Sequence, residues 1–144
     1  MTERTCRQII EGQEPVTAPP TITVTEAARL MKEHNIGALM VCEDEKLVGV
    51  FTERDALFRV VAEGCDPGKT RLLDVMTRNP RTIAPDRPFG HALHLMYEGG
   101  FRHVPVVDNG RPLGVVSSRD ALGPDLQQFV RDLETRNHIS EILG

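Results

Sequence analysis

The chain has 144 residues, of which 40% are hydrophobic and 26% are charged, and this composition is typical of folded globular proteins rather than disordered or fibrous ones. A net charge of −4 and a single tyrosine argue against a nucleic-acid partner, because that function needs fields of lysine and arginine and aromatic stacking platforms. No apolar run approaches the ~20 residues of a membrane span. The N-terminal residues 1–5 contain an acid and lack an apolar stretch, so we expect no secretory signal, no membrane partner and a cytoplasmic location.

The chain contains one internal repeat. Displacing the sequence by 65 residues aligns 15–57 with 80–122 without a gap, and 14 of the 43 columns are identical. The densest block aligns GVFTERDAL (49–57) with GVVSSRDAL (114–122). We interpret the chain as a tandem duplication with a first repeat and its N-terminal segment over 1–66, a second repeat over 67–123 and a C-terminal helix over 124–144.

Each copy is predicted to form a strand, a helix, two strands and a second helix. The first strand is a short extended piece near Thr17 or Thr82, and apolar residues at helical spacing follow it in both copies. Two short apolar runs come next, separated by Asp44-Glu45 in the first copy and by Asn109-Gly110 in the second, which predicts a hairpin in each. The fold class expected is therefore α/β (α+β).

Two apolar helix faces complete the prediction. One begins after Phe51 and would present Leu57, Val60 and Val61 on a single face. The other belongs to the C-terminal helix, with Leu126, Phe129, Val130 and Leu133. That face would either cover the domain's own core or form a dimer contact.

The block Gly-apolar-apolar-Thr/Ser-x-Arg-Asp occurs at a predicted strand-to-helix junction in both copies. A carboxylate can accept two hydrogen bonds from a sugar diol, a hydroxyl can hold a phosphate oxygen or a ribose, and a guanidinium adds positive charge beside a helix N-terminus. Together these groups favour a nucleoside phosphate site. The candidate residues are Thr52, Arg54 and Asp55 in the first copy and Ser117, Arg119 and Asp120 in the second.

The same block has a purely structural interpretation. A Thr or Ser followed three residues later by an acid is also the pattern of a helix capping box. On that interpretation the chain is a ligand-free dimerisation or scaffold module. The repeated glycine and arginine do not follow from capping, and they favour the binding site.

These features resemble the cystathionine-β-synthase (CBS) domain pair, or Bateman module. The resemblance covers 15–122 and rests on the duplication, on Thr-x-x-Pro at Thr17–Pro20 and Thr82–Pro85, on Asp74-Val75-Met76-Thr77, and on Gly-x-x-Thr/Ser-x-x-Asp twice. It implies two β-α-β-β-α repeats packed with pseudo-twofold symmetry around two clefts. It also implies a regulatory, non-catalytic module of the stand-alone bacterial type, whose clefts hold an adenosyl ligand such as AMP, ADP, ATP, NAD or S-adenosylmethionine.

The resemblance also assigns residues. It places Thr52 and Asp55 in one cleft and Ser117 and Asp120 in the other. The base would lie beside Thr17, Ala18, Thr82 and Ile83, and the phosphate beside Arg102 and His103. The first copy has Gly37 and Ala38 in place of Arg102 and His103, so we expect the two clefts to differ.

Other functions have weaker support in the sequence. His91, His94 and Glu98 could bind a metal at a helix surface, but their spacing fixes no complete ligand set, so no metal is expected. Ser117 or Ser118 with His103 could be imagined as a nucleophile and base, yet nothing supplies an oxyanion hole, and we expect no enzyme. The hypothesis is a sensor with an adenine nucleotide as regulatory ligand, no required cofactor, a homodimeric state and an unidentified effector protein.

Overall fold

The computed structural model describes residues 4–123, 131–133 and 135–136, which form a mixed α+β fold of two repeats. Within these residues no helix is both long and apolar enough to cross a membrane. Most of the expected C-terminal helix, including Leu126, Phe129 and Val130, lies outside the described residues. Its described part is helical, and Leu133 is 39% exposed.

The first repeat opens with a short helix and continues as strand, helix, strand, strand and helix. Its elements are α1 (Cys6–Ile9), β1 (Thr17–Ala18), α2 (Val24–His34), β2 (Ala38–Glu43), β3 (Lys46–Thr52), α3 (Glu53–Asp55) and a π-helical stretch (Ala56–Val61). The second repeat follows the same plan with α4 (Leu72–Val75), β4 (Thr77–Arg78), α5 (Phe89–Gly99), β5 (His103–Asp108), β6 (Arg111–Ser117) and a 3₁₀ helix (Ser118–Leu122). The strand expected near Thr82 is reduced to one parallel bridge, between Ile83 and Val106.

The long helix of each repeat covers its own hairpin with the predicted apolar face. In α2 the Thr23 hydroxyl accepts a hydrogen bond from Glu26 N at 3.2 Å, and Asn35 ends the helix in the left-handed region at φ 53°. Val24, Ala27 and Met31 are buried in α2, and Phe89, Ala92 and Met96 are their buried counterparts in α5. Ala28, which lies one helical turn after Val24, is exposed.

The hairpins match each other residue by residue. β2–β3 and β5–β6 are antiparallel and share the same register, with a bulge between Val41 and Cys42 in one and between Val106 and Val107 in the other. Both central turn residues have positive φ in each hairpin, at 49° and 65° for Asp44 and Glu45 and at 52° and 83° for Asn109 and Gly110. These are the tight mirror-image turns that the sequence predicted.

The opening segment of each repeat completes the core of the other repeat. Cys6 and Ile10, at the start of the first repeat, are buried in the core of the second. Leu72, Val75 and Met76, at the start of the second repeat, are buried in the core of the first. β4 also joins the first sheet, which runs β1-β2-β3-β4.

The helix after Phe51 differs from its prediction. Val60 is buried, but Leu57 and Val61 are 53% and 68% exposed. The reason is that this stretch is π-helical, as Ala62 N donates to Leu57 O and Cys65 N to Val60 O, both at 2.9 Å. A wider turn separates side chains that an α-helix would place on one face.

Candidate functional site

A cleft of about 720 Å³ lies between the two repeats. We call it the Arg102 cleft. The second repeat and the N-terminal segment form one side, and the end of α2 with the starts of β2 and α3 forms the other. Its charged and histidine lining residues are Glu14, His34, Glu53, Arg102, His103, Arg119 and Asp120.

Asp120 is half-buried in this cleft and has one carboxylate oxygen available. Its Oδ2 accepts hydrogen bonds from Ser117 N at 2.7 Å and from Ser117 Oγ at 3.4 Å. No hydrogen bond from the described residues reaches its Oδ1. The carboxylate therefore caps the helix start with one oxygen and can accept an outside donor with the other.

Two arginines and a histidine give the cleft a cationic side. Ser118 N donates to Arg102 O at 3.0 Å, which fixes the start of β5 against the start of the 3₁₀ helix. Within the described part of the chain, neither Arg102 nor Arg119 forms a side-chain hydrogen bond or ion pair. Unpaired guanidinium groups beside a helix start are suited to an anion such as phosphate.

His103 lies among charged groups from both repeats. Burial lowers the pKa of its imidazole below the ordinary value of 6.5; Glu53 opposes that change, Arg119 and Arg102 add to it, and Asp120 opposes it. Desolvation is the largest of these effects because it disfavours the charged imidazole. Burial therefore favours the neutral imidazole.

The N-terminal segment completes the cleft through Gln13. Its side-chain amide donates from Nε2 to Val115 O at 3.1 Å and accepts from Val115 N at 3.2 Å, as a neighbouring strand would. In the first repeat the equivalent place beside β3 is taken by the backbone of β4. Gln13 and Glu14 consequently lie at the cleft wall.

The first-repeat motif has a different environment, with its acid buried. Asp55 is 6% exposed, and its Oδ2 accepts from Thr52 N at 3.0 Å. Thr77 Oγ1 donates to both of its oxygens at 3.3 and 3.4 Å, and Arg59 Nε lies 3.5 Å from Oδ1. Thr52 Oγ1 accepts in turn from Asp55 N at 3.1 Å. The carboxylate is thus saturated by the chain itself and does not line the Arg102 cleft.

Arg54 is also held by its own chain. Its Nη1 donates to Gly100 O at 3.1 Å, and its guanidinium lies 5.7 Å from the centre of the Phe58 ring. Gly100 is the counterpart of Asn35, which lines the Arg102 cleft. Arg54 therefore contacts the residue that corresponds to Asn35, and it does not line the Arg102 cleft.

The remaining predicted residues lie in or beside the strands. Ala18 is buried in the first core and Ile83 in the second, while Thr17 and Thr82 are exposed. None of these four borders the Arg102 cleft. Of the predicted set, the cleft brings together Arg102, His103, Ser117, Arg119 and Asp120.

A family model identifies this arrangement of paired repeats. The model described as the CBS domain matches the chain twice, at residues 7–62 and 72–123. The chain belongs to the CBS domain family. The resemblance inferred from the duplicated motif is confirmed.

Curated relatives are CBS proteins of varied length. The chain is 38% identical over 104 residues to the CBS domain-containing protein YhcV of Bacillus subtilis, which covers 72% of this chain and 74% of that protein. It is 45% identical over 89 residues to CBSCBSPB1 of Arabidopsis thaliana and 34% identical over 115 residues to the protein MK0525 of Methanopyrus kandleri. Those matches cover 62% and 78% of this chain but only 16% and 59% of the two relatives.

Solved CBS structures share the fold and include complexes. The Pyrobaculum aerophilum protein PAE2072, solved with AMP, is 28% identical at a TM-score of 0.75, over 81% of this chain and 89% of that one. The CBS pair of protein MJ0100, solved with 5′-methylthioadenosine and S-adenosylmethionine, is 32% identical at 0.75, over 83% and 94%. A hexameric CBS-CP12 protein from bloom-forming cyanobacteria is 27% identical at 0.77, over 85% and 68%.

The repeated glycines of the two CBS motifs have a packing explanation. A Cβ at Gly49 would lie 2.6 Å from Met76 Sδ, and one at Gly114 would lie 2.9 Å from Gln13 Oε1. The groups that approach these strands, Thr77 O at 3.0 Å from the Gly49 position among them, belong to the opening segment of the other repeat. The exchange of segments accounts for the glycines, so they do not favour a ligand over a helix cap.

Sequence reasoning missed several residues of the CBS cleft, among them Gln13, Glu14, His34 and Glu53. One signal was available for Glu53. In the alignment of the two copies, Gly37 corresponds to Arg102 and Glu53 corresponds to Ser118. The first copy therefore has its small residue where the second copy has its large one, and the reverse holds at the other position.

His94 and Glu98 form an ordinary surface pair on α5. His94 Nε2 lies 2.9 Å from Glu98 Oε1, and both side chains are exposed. Across the part of the chain that the structure describes, no group of three or more His, Cys, Asp or Glu residues could hold a metal ion.

Proposed function

We propose that this CBS pair is a regulatory module that binds an adenosyl ligand, preferably an adenine nucleotide, in the Arg102 cleft. Asp120 would accept the ribose hydroxyls, and Arg102, His103 and Arg119 would contact the phosphate. Thr52, Arg54 and Asp55 would stabilise the first repeat instead, so that each chain binds one ligand.

The observation that carries this proposal is the contrast between the two aspartates. Asp120 keeps Oδ1 available in a cleft whose two arginines lack side-chain partners among the described residues, whereas Asp55 is buried and saturated. A cleft of about 720 Å³ is also within the usual range for small-molecule sites, roughly 300–1,000 Å³. The AMP complex of the Pyrobaculum aerophilum protein supports the same ligand class.

A regulatory role is favoured over catalysis. Ser117 Oγ, the nucleophile that could be imagined, donates to Asp120 Oδ2 at 3.4 Å. Among the described residues its hydroxyl is therefore directed at Asp120 and not at His103, the base that could be imagined for it. A ligand would instead shift the balance between two arrangements of the repeats by binding one of them more tightly.

Self-association and an effector protein belong to the same proposal. Leu57, Phe58 and Val61 leave an exposed apolar surface on the π-helical stretch, at 53%, 54% and 68% exposure. We expect a second copy of the chain to cover this surface, as a homodimer. Sedimentation velocity that gave only the mass of one 16.0 kDa chain at micromolar concentration would contradict it.

Paired aspartate variants test the binding site. Asp120→Ala should weaken AMP binding at least tenfold, because charged hydrogen bonds contribute about 1.5–3 kcal/mol each. Its melting temperature should fall only modestly, since Asp120 is half-buried and holds one cap. Calorimetric titration and thermal denaturation measure the two effects.

Asp55→Ala is the matched control. It should lower the melting temperature more than Asp120→Ala, because it leaves Thr52 N, Thr77 Oγ1 and Arg59 without their buried acceptor. Its AMP affinity should stay within about twofold of the wild-type value. Equal affinity in the wild type and Asp120→Ala would refute the proposed site and favour the alternative in which both motifs are only helix caps.

A further inference from the structure

Glu53 places a carboxylate at the cationic side of the Arg102 cleft, and the fold makes room for it. Glu53 N donates to Gly37 O at 3.0 Å, so α3 begins against the start of β2. A Cβ at Gly37 would collide with Glu53 Oε1 and would lie 3.3 Å from His103 Nε2. Because Gly37 has no side chain, the Glu53 carboxylate fills that space and lies beside the imidazole of His103.

Backbone conformation does not explain this glycine. Gly37 does not have positive φ, so any residue could adopt its backbone geometry. The second repeat makes the same backbone contact, Ser118 N to Arg102 O at 3.0 Å, with a large residue where Gly37 stands and a small one where Glu53 stands. The two repeats therefore contribute opposite charges, Glu53 and Arg102, to one cleft.

The helix start does not explain the acid either. The cap of α3 is made by Thr52 and Asp55, and Ser118 occupies the equivalent position in the second repeat. An acid at this position adds a modest favourable interaction with the helix N-terminus. Glu53 Oε1 and His103 Nε2 both lie next to the Cβ position of Gly37, so the acid is placed beside the imidazole and not only beside the helix start.

The charges of the cleft favour a ligand with few phosphates. Arg102 and Arg119 carry two positive charges, and His103 adds a third only when it is protonated, while Glu14, Glu53 and Asp120 supply three negative charges to the same cleft. The lining therefore has no excess positive charge for a ligand beyond one phosphate monoester, which carries about two negative charges near neutral pH. Each added phosphate brings charge that the arginines do not match and that Glu53 and Glu14 oppose. Repulsion between these carboxylates and the added phosphates disfavours binding even when water partly screens the charges.

We propose that Glu53 is a specificity-determining residue that restricts the Arg102 cleft to adenosyl ligands carrying at most one phosphate. This inference rests on the proposed function. It makes Glu53 a selective element rather than a source of affinity, since its carboxylate acts against the longer phosphate chains of ADP and ATP and leaves the nucleoside unaffected.

Titration of adenosine, AMP, ADP and ATP against the wild type and Glu53→Gln tests it. The wild type should bind AMP more tightly than ATP. Glu53→Gln should tighten ATP binding by at least about threefold relative to AMP, which is what removing one like charge near 6 Å gives in water-like screening. Adenosine affinity should not change, and the melting temperature should move little.

Glu63→Gln is the matched control, because Glu63 is an exposed acid in the connector between repeats. It removes the same charge from the protein and should leave the ratio of ATP to AMP affinity unchanged. If Glu53→Gln leaves that ratio unchanged, or if wild type binds ATP as tightly as AMP, the specificity role is wrong while the binding site stands. Failure of all four compounds to bind would overturn the proposed function and this inference with it.

Discussion

Asp55 and Asp120 occupy the same position in two copies of one motif, and their neighbours give them different roles. Thr77 and Arg59 contact Asp55, whereas Gly12, the residue 65 positions before Thr77, has no side chain with which to contact Asp120. Duplication therefore preserved the cap in both repeats. It left a second acceptor oxygen available in one repeat only.

His103 predicts a proton linkage. Its folded pKa lies below the ordinary value because of burial, so the stability that it contributes is present above pH 6.5 and is lost as the pH falls below it. A phosphate beside the imidazole raises that pKa again, as an opposite charge does. AMP binding near neutral pH should thus be accompanied by proton uptake at His103, and adenosine binding should not.

Calorimetric titration in buffers of different ionisation enthalpy measures this uptake. His103→Gln should take up fewer protons on binding AMP than the wild type does, whereas His91→Gln, a change at an exposed position on α5, should behave as the wild type. The four charged groups that face His103 are Glu53, Arg119, Arg102 and Asp120, and all remain in both variants. Identical uptake in His103→Gln and wild type would contradict the assignment of His103 to the phosphate.

The elements were predictable from sequence wherever local chemistry decides the structure. The hairpin turns follow from residues that tolerate positive φ, and α2 and α5 follow from their apolar spacing. The π-helical stretch was not predictable, because its hydrogen-bond spacing leaves no distinct residue signature. It turned Leu57 and Val61 toward solvent, away from the face that an α-helical period assigns them.

The exchange of α1 and α4 between the cores was equally hidden. Four-residue helices carry too few apolar positions to indicate which sheet they cover, and the chain order suggests the adjacent repeat. The exchange also affects the site. Gln13, which comes after α1, binds Val115 in the second repeat, and Thr77, which comes after α4, binds Asp55 in the first. The candidate residues could be named from the sequence. The sequence could not show that Asp55 is bonded within the chain while Asp120 keeps an oxygen available.

The exchange predicts that a change at the start of the first repeat destabilises the second. Ile10 is 7% exposed in the second core, so Ile10→Ala should lower the free energy of unfolding by about 2–5 kcal/mol. Because each core contains a segment from outside its own repeat, urea unfolding followed by circular dichroism should remain one transition. Ile9→Ala, at a partly buried neighbour, should cost less. Separate transitions for the two repeats, or no loss in Ile10→Ala, would contradict this account.

At the scale of the whole molecule, two similar repeats form an asymmetric pair. The second repeat supplies Arg102, His103, Arg119 and Asp120, and the first repeat supplies Glu53 to the same cleft. Arg54 and Asp55 are used within the protein, by Gly100, Arg59 and Thr77. Internal symmetry of the fold thus coexists with a cleft to which the two repeats contribute different side chains.

A crystal structure of the chain grown with excess AMP tests this central claim most directly. The account predicts one nucleotide per chain, with its ribose hydroxyls on Asp120 Oδ1 and its phosphate within hydrogen-bond distance of Arg102 or Arg119. A nucleotide bound at Asp55, or electron density showing AMP in both clefts or in neither, would contradict it.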